Sequence, residues 1–219
     1  MLLSVALAIE HERVTLESKA KLLNLYGALW DLEKPVWIEK SPPNAVLSRF
    51  LQAIINLSPS QLEESDAMDE VHKKSIVKFL FITRHPLANA QAHAKLRECK
   101  DMHFFHLVEN WLRVHEYMMK DLEHLHSSKV IRLEDFAKHP VENTAAAWTW
   151  IGLDYTIADL EYAITRTKII KDPNYLHRKA YCDKLEDAAH RKRHLRLVEL
   201  YNTRIAKLGL RYDLETFCN

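Results

Sequence analysis

The chain has 219 residues, of which 47% are hydrophobic and 28% are charged, and this composition excludes a wholly disordered chain and a fibrous repeat. The 31 Lys and Arg residues almost balance the 30 Asp and Glu residues, so the net charge is +1. Proteins that coat nucleic acid need a clear excess of cationic side chains to neutralise phosphates, and this balance argues against that class. A local basic pocket for a small anion is still compatible with these numbers.

Glycine is scarce in this chain. Gly27, Gly152 and Gly209 are the only three, and no two of them lie close together. Phosphate-binding loops need closely spaced glycines, because several backbone N–H groups must approach one anion. The chain therefore contains neither a complete Walker loop nor a GxGxxG fingerprint.

The cysteines and the apolar runs bear on compartment. Cys99, Cys182 and Cys218 are widely spaced and form no CxxC pair. This pattern predicts a reducing compartment without a disulfide framework or a zinc-thiolate site. No apolar run reaches the roughly 18 residues of a membrane span, and residues 1–9 lack the basic start of a signal peptide, so they are expected to begin a helix.

Apolar residues recur with helical spacing along most of the chain. This periodicity predicts helices over 2–31, 45–57, 87–97, 102–126 and 183–208. Pro140 and Gly152 mark the start and end of a further helix, and Thr156 with Asp159 matches a capping box for the next. Residues 58–75 are expected to form a loop and 169–182 an irregular segment with a turn at 172–174.

Three short runs that favour β-structure, 36–38, 78–83 and 130–133, alternate with these helices. The continuous apolar run at 78–83 is typical of a strand that is covered on both faces of a parallel sheet. A β–α–β–α–β order requires crossover connections, which place helices on the faces of such a sheet. We therefore predict one helix-rich α/β domain with a small parallel sheet over residues 1–219.

Two polar segments follow the predicted strands, at the edge where open parallel sheets bind ligands. Residues 39–41 (EKS) follow the first strand, and Arg84 with His85 follows the strongest one. A guanidinium beside the free N–H groups of a helix start forms a seat for phosphate. The simpler alternative is a surface arginine in a loop.

Several segments together resemble the sulfotransferase family, in particular its branch with carbohydrate-type and tyrosylprotein-type members. They are residues 39–42 (EKSP), 79–86 (FLFITRHP), 130–136 (VIRLEDF) with Pro140, 173–175 (PNY) and 208–214 (LGLRYDL). The resemblance covers roughly residues 30 to 214. It implies a P-loop-kinase-like three-layer sandwich, with 32–214 as its core and 1–31 as a divergent helical segment.

The resemblance also implies a donor and a site for it. Members of the family transfer a sulfuryl group from 3′-phosphoadenosine 5′-phosphosulfate (PAPS) to a hydroxyl or amine, leave adenosine 3′,5′-bisphosphate, and need no metal. Arg84 matches the arginine that binds the 3′-phosphate, and His85 lies next to it. The serine that the family carries eight positions later is Ala92 here, and Asn89 or Gln91 are the candidate replacements.

A basic run at residues 191–194 (RKRH) adds two further candidates. Late basic residues close over the nucleotide in the family, so the resemblance suggests donor contacts from Lys192 and Arg193. The alternative is a solvated helix face that Glu186 and Asp187 balance one turn earlier.

The catalytic candidates come from the segment at 39–41. Lys40 matches the family's lysine near the reacting groups, where an ammonium offsets charge that develops on the transferred group. Ser41 can donate a hydrogen bond there, and Glu39 is a candidate general base. In the alternative, Glu39 points into the sheet and pairs with Lys40 or Arg84. His85 is a second candidate base.

Nothing before Glu39 matches the strand, the R-S-G-T-T phosphosulfate loop and the helix with which family members begin. A truncated chain and a divergent member are both consistent with this. The loop holds the transferred group, so the alternative hypothesis is a non-catalytic sulfotransferase-like binding module. A different phosphate-handling transferase has less support, since no phosphate loop is present.

Other properties stay open at this stage. The acceptor, the oligomeric state and the compartment (cytoplasm or Golgi lumen) are not readable, although the chain is soluble by its sequence. His103, His106 and Glu109 have a spacing that metal ligands on a helix can have. The polar edge of an amphipathic helix explains these three residues equally well.

Overall fold

The computed structural model describes residues 12–57, 77–167 and 172–218. Its longer elements in chain order are α1 (Leu16–Gly27), α2 (Ser48–Asn56), β1 (Phe79–Thr83), α3 (Pro86–His93), α4 (Phe104–Leu122), β2 (Ser128–Arg132), α5 (Leu133–Lys138), α6 (Pro140–Ile151), α7 (Ile157–Arg166), α8 (Tyr175–Cys182) and α9 (Ala188–Lys207). Short 3₁₀ helices lie at Pro42–Val46, Arg97–Cys99, Asp183–Glu186 and Glu215–Cys218.

The described residues form a helix-rich α/β structure with one small sheet. β1 and β2 pair in parallel as a two-stranded sheet, and α3 and α4 lie between them in the chain. The third predicted strand, at 36–38, is wrong, because these residues belong to no sheet. Side-chain contacts, rather than hydrogen bonds to a neighbouring strand, hold this segment. Trp37 stacks on Trp30 at 5.7 Å, and the Trp30 indole donates to the Ile38 carbonyl at 3.2 Å.

β1 is covered on one face rather than two. Phe81 and Thr83 are buried, whereas Leu80 is 38% exposed and Ile82 is 65% exposed. The prediction of a strand covered on both faces is therefore wrong. A continuous apolar run does not distinguish the two cases, because burial depends on what packs on each face and not on the strand's own sequence.

Local helix signals are confirmed. α6 begins at Pro140 and ends before Gly152, whose φ of 92° is the left-handed conformation that favours glycine. Thr156 and Asp159 form the predicted capping box of α7. The predicted helix at 2–31 is wrong at residues 12–15 and 28–31, because α1 begins at Leu16 and ends at Gly27. Its predicted part at 2–11 and the predicted loop at 58–75 lie outside the described residues.

The predicted irregular segment at 169–182 is partly wrong. Residues 168–171 lie outside the described residues, the turn at 172–174 is present, and residues 175–182 form α8. The backbone N–H of Asn174 donates to the Asp172 carboxylate at 3.0 Å. This Asx turn leads the chain into the helix, and sequence periodicity alone does not reveal it.

The chain falls into two compact units. The first comprises Met1–Phe79 and Tyr117–Lys129, and the second comprises Leu80–Glu116 and Val130–Asn219. In the first unit, the 3% exposed Lys19 donates at 2.7 Å to the carbonyls of Ile55 and Leu57 at the end of α2. A cation there satisfies carbonyls that the helix itself leaves unpaired.

The second unit contains a disulfide between Cys182 and Cys218, with Cα atoms 5.7 Å apart, and Cys99 is free. The sequence-based expectation of unpaired cysteines is therefore wrong for this pair. The end of α8 and the 3₁₀ helix at Glu215–Cys218 meet in space, although 36 positions separate the two cysteines. A disulfide is typical of proteins that mature in an oxidising compartment, so the argument for a reducing one no longer holds.

Candidate functional site

Arg84 follows the last residue of β1 and is half-buried. Its Nε donates to Asn174 Oδ1 at 2.8 Å, and its Nη2 donates to the Pro173 carbonyl. Nη1 has no hydrogen-bond partner among the described residues. The side chain is thus held at two nitrogens, while a third nitrogen is available to an anion.

The Asn174 side chain is itself fixed by a carboxylate. Its Nδ2 donates to Glu134 Oε1 at 2.6 Å, and the same oxygen accepts from the backbone N–H of His85 at 2.8 Å. Glu134 lies in the first turn of α5, directly after β2. The carboxylate of Glu134 therefore orients Arg84 through Asn174, and it also binds the chain at the start of α3.

Tyr212 closes this network from the C-terminal part of the chain. Its hydroxyl donates to Glu134 Oε2 at 3.1 Å and lies 3.0 Å from Thr83 Oγ1. The Arg132 guanidinium lies 4.7 Å from the Tyr212 ring centroid. Burial raises the pKa of Tyr212 well above its ordinary value, so the neutral phenol is available as a donor.

Charges of both signs lie around Arg84. Burial lowers the pKa of Arg84, and the negative charges of Glu134 and Asp172 oppose that shift. Burial also lowers the pKa of His177, and the positive charges of Arg84 and Lys95 lower it further. His177 Nδ1 is buried without a hydrogen-bond partner among the described residues. The unpartnered nitrogens, Nη1 of Arg84 and Nδ1 of His177, are therefore the candidate contacts for an anion next to Arg84.

His85 has a structural role in this arrangement. Its Nδ1 accepts from the Leu87 N–H at 3.3 Å, its Nε2 faces the Asp213 carbonyl at 3.1 Å, and its ring stacks on Phe217 at 4.2 Å. The ring caps the start of α3. Burial lowers its pKa to about 4, so it is neutral at physiological pH. Both ring nitrogens are therefore engaged by the protein itself.

α3 carries the residues expected to replace the family's serine. Ala92 is half-buried and offers no hydroxyl. Asn89 is half-buried one turn into the helix, and its side chain has no partner among the described residues. Gln91 lines a cavity of about 280 Å³ in the second unit. Of these, Asn89 lies closer in the chain to Arg84.

Of the two basic residues predicted to contact the donor near the C-terminus, only Arg193 lines the same cavity. Arg193 lines it together with Lys184, His190, Tyr181 and Phe104. Lys192 is exposed near the start of α9 and does not belong to the lining. The donor contacts predicted for Lys192 and Arg193 stay predictions.

The three catalytic candidates lie in the first unit. Lys40 is exposed and has no hydrogen bond or ion pair with any described residue. The Glu39 carboxylate accepts a hydrogen bond from the Asn44 side chain and forms no ion pair with Lys40. Ser41 precedes the 3₁₀ helix at Pro42–Val46, and its side chain does not cap that helix. The Lys40 ammonium is thus free to meet an anionic group.

The structure gives no support to the metal alternative. His103 and His106 lie in edge contact, with ring centroids 6.0 Å apart, and His103 Nδ1 accepts from the Phe105 N–H at 3.4 Å. Glu109 instead pairs with Arg113 and Arg204. Within residues 12–57, 77–167 and 172–218, no group of three His, Cys, Asp or Glu side chains could hold a metal ion.

Sequence reasoning singled out Arg84 but missed the residues that hold it. Glu134, Asn174 and Tyr212 each lie in a segment that carries the family resemblance, yet none had been assigned a role. A carboxylate directly after a strand was the available signal for Glu134. The hydrogen bonds of Asn174 to Arg84 and Glu134 span 90 and 40 positions, and local patterns carry no information on such pairs.

Comparison with known proteins adds no family name. The chain matches no protein-family model, no curated protein and no solved structure. The helices that the structure describes include none with the length and apolar character that a membrane crossing requires.

Proposed function

We propose that the protein is a sulfotransferase that uses PAPS as donor and a hydroxyl or amine as acceptor, with Arg84 binding the donor's 3′-phosphate. The observation that carries this proposal is the hydrogen-bonded network around Arg84. Four of the segments that resemble the family supply its members: Arg84, Glu134, Asn174 and Tyr212. Segments far apart in the chain thus meet at the residue for which the resemblance implies phosphate binding.

The hydrogen-bond pattern around Arg84 supports an anion at this position. Glu134 accepts hydrogen bonds from Asn174, His85 and Tyr212 rather than from Arg84. The guanidinium therefore keeps its positive charge uncancelled by a direct ion pair, and Nη1 is available. His177 is a further candidate phosphate contact, because its buried Nδ1 lacks a partner within the described part of the chain.

The proposed chemistry is a single in-line displacement. The acceptor oxygen or nitrogen forms a bond to sulfur while the bond between sulfur and the bridging 5′-phosphate oxygen breaks, and the electron pair of that bond leaves with the phosphate. The acceptor proton passes to a base, for which Glu39 is the candidate. The resemblance assigns Lys40 to the charge that develops on the transferred group and the leaving phosphate.

A second candidate function is a binding module that holds the nucleotide without transferring sulfate. Ala92 favours it, because an alanine supplies no hydroxyl where the family donates one to the 3′-phosphate. A missing donor weakens binding by about 1–3 kcal/mol unless another group replaces it. The two candidates differ in turnover, since only a sulfotransferase converts PAPS and an acceptor into adenosine 3′,5′-bisphosphate and sulfated acceptor.

The test is binding of the reaction product, adenosine 3′,5′-bisphosphate, followed by thermal unfolding and calorimetry. At 100 times its Kd it should stabilise the fold by about 2.7 kcal/mol. Adenosine 5′-monophosphate, which lacks the 3′-phosphate, should bind at least roughly tenfold more weakly, and Arg84→Gln should abolish the difference. Arg97→Gln alters an exposed arginine of the same unit and is the matched control.

The absence of any shift with millimolar product in a folded sample would overturn both candidates. Equal binding of the two nucleotides would remove the role given to Arg84. Binding that depends on Arg84 without turnover of PAPS would favour the binding module.

A further inference from the structure

A second site lies within the second unit, away from Arg84. α3 and α8 pack against each other and run in the same direction: Arg84 and Asn174 are bonded where the two helices begin, and Gln91 and Tyr181 line the cavity near their ends. At 1.5 Å per helical residue, this separation is on the order of 10 Å. The cavity is therefore distinct from the phosphate seat proposed above.

The apolar part of the cavity consists of flat rings. Phe104 and Phe105 at the start of α4 line it together with Tyr181. The Phe104 and Tyr181 rings stack at 5.6 Å, and the buried Tyr181 hydroxyl lies 3.1 Å from His194 Nδ1. These contacts fix the Tyr181 ring, so this wall is formed before any ligand arrives.

The polar part of the cavity is cationic. Lys184 and Arg193 line it, and neither forms an ion pair with any described carboxylate. His190 also lines it and pairs with Asp187 at 2.9 Å, and Asp187 itself does not belong to the lining. No Asp or Glu belongs to this lining, so an anion inside meets two uncompensated charges and no direct repulsion.

Size and chemistry together define the class of ligand. A volume of about 280 Å³ lies at the lower end of the range for small-molecule sites. Rings offer stacking surface, and a lysine next to an arginine offers charged donors for a carboxylate, phosphate or sulfate. We propose that this cavity is a binding site for a small anion carried on a flat ring, separate from the nucleotide site at Arg84.

The test uses naphthalene-2-sulfonate as the probe, with calorimetry or ligand-observed NMR on the full chain. Binding should be lost or weakened at least roughly tenfold in Lys184→Ala and in Arg193→Ala, because each change removes a charged donor. Both side chains are exposed, so the variants should fold normally. Lys207→Ala removes an exposed lysine from the far end of α9 and should leave binding unchanged.

Three further measurements address the class and the location of the site. Naphthalene-2-methanol has the ring of the probe but no negative charge, and inorganic sulfate has the negative charge but no ring. Each should bind at least roughly tenfold more weakly than the probe. Arg84→Gln should retain the probe, and adenosine 3′,5′-bisphosphate should not displace it. These last two results hold whether or not the proposed transferase function is correct.

The proposal is overturned if the probe fails to bind the folded protein at millimolar concentration, or if Lys184→Ala and Arg193→Ala both bind it normally. Equal affinity for the uncharged alcohol would overturn the anionic class. Displacement by adenosine 3′,5′-bisphosphate would overturn the separation of the two sites and would favour instead the donor contact that the resemblance suggests for Arg193.

Discussion

The Asn174 side chain accepts a 2.8 Å hydrogen bond from Nε of Arg84, although the two residues are 90 positions apart. An isolated arginine at a strand end has many accessible rotamers, and fixing them costs conformational entropy. Asn174 restricts the Arg84 rotamers before a ligand binds, because its own amide is held in place by the Glu134 carboxylate. A buried amide thus decides where the guanidinium points.

This relationship predicts the effect of Asn174→Ala. The change leaves the Arg84 Nε and one Glu134 oxygen without a side-chain partner, so the free energy of unfolding should fall by about 1–3 kcal/mol. The affinity for adenosine 3′,5′-bisphosphate should fall at least roughly tenfold, because Arg84 is no longer oriented. Denaturant unfolding and calorimetry measure the two effects.

Asn110→Ala is the matched control, since Asn110 is exposed on α4. It should leave both quantities unchanged. If Asn174→Ala lowered stability without changing the affinity for the bisphosphate, Asn174 would support the fold alone, and its positioning of Arg84 would be refuted.

The contrast between local and distant signals explains what could be predicted from the sequence. Pro140, Gly152 and the Thr156–Asp159 capping box act within one turn of their own helix, and α6 and α7 begin and end where these residues predict. Residues 36–38 belong to no sheet, and residues 175–182 form α8 after the Asx turn at 172–174; the sequence pattern predicted neither outcome. Burial of a strand face also depends on what packs on it.

The candidate site shows the same division. A basic residue directly after an apolar strand is a local pattern, and it identified Arg84. The Asn174–Glu134 pair and the partnership of Cys182 with Cys218 depend on the path of the chain between them. Residues from α3, α4, α8, α9 and the turn between α8 and α9 line the cavity beside Arg193. The pattern of any one of these segments therefore does not predict it.

The disulfide leads to a second prediction. Cys182 and Cys218 close a loop of 36 positions, and a cross-link over that distance stabilises a fold by about 3–4 kcal/mol in the chain-entropy estimate. Reduction, or the double substitution Cys182→Ser and Cys218→Ser, should therefore lower the midpoint of urea unfolding substantially. Thiol titration of the unfolded, unreduced protein should find one free thiol, that of Cys99.

Cys99→Ser provides the comparison for this experiment. It should leave the sensitivity to reductant unchanged, because Cys99 takes no part in the bond. Three reactive thiols in protein prepared under oxidising conditions would contradict the pairing.

A third prediction concerns Lys40 and rests on the proposed transferase activity. Lys40→Met removes an ammonium that has no partner among the described residues, so the fold should be unaffected. Release of adenosine 3′,5′-bisphosphate from PAPS should slow roughly 100-fold or more if the charge acts on the transferring group. The affinity for the bisphosphate should change much less.

Lys34→Met alters another exposed lysine in the same unit and is the control for nonspecific charge effects. Equal rates for the Lys40 variant and the unchanged protein would show that Lys40 does not act in the reaction. A matching loss in both variants would point to the general charge of the unit instead.

The final prediction concerns acid stability. Burial lowers the pKa values of His85 and His115 to about 4 each, whereas an unfolded chain has histidine pKa values near 6.5. Between these values the unfolded chain binds protons that the folded protein does not, so stability is full above pH ~6.5 and falls as the pH approaches ~4. Each histidine should contribute a loss of up to about 3 kcal/mol over this window.

The measurement is the free energy of unfolding by urea at intervals from pH ~7.5 to ~4.5. His115→Phe keeps a ring that can stack on Trp111, at 3.8 Å in the native pair, but removes the titrating group. The slope of stability against pH reports how many protons the protein takes up on unfolding. In His115→Phe this number should fall by up to about one in the middle of the window. His106→Gln, at an exposed position of the same helix, should leave the slope unchanged. A His115→Phe protein with the unaltered slope would show that His115 is protonated as readily in the folded protein as in the unfolded chain.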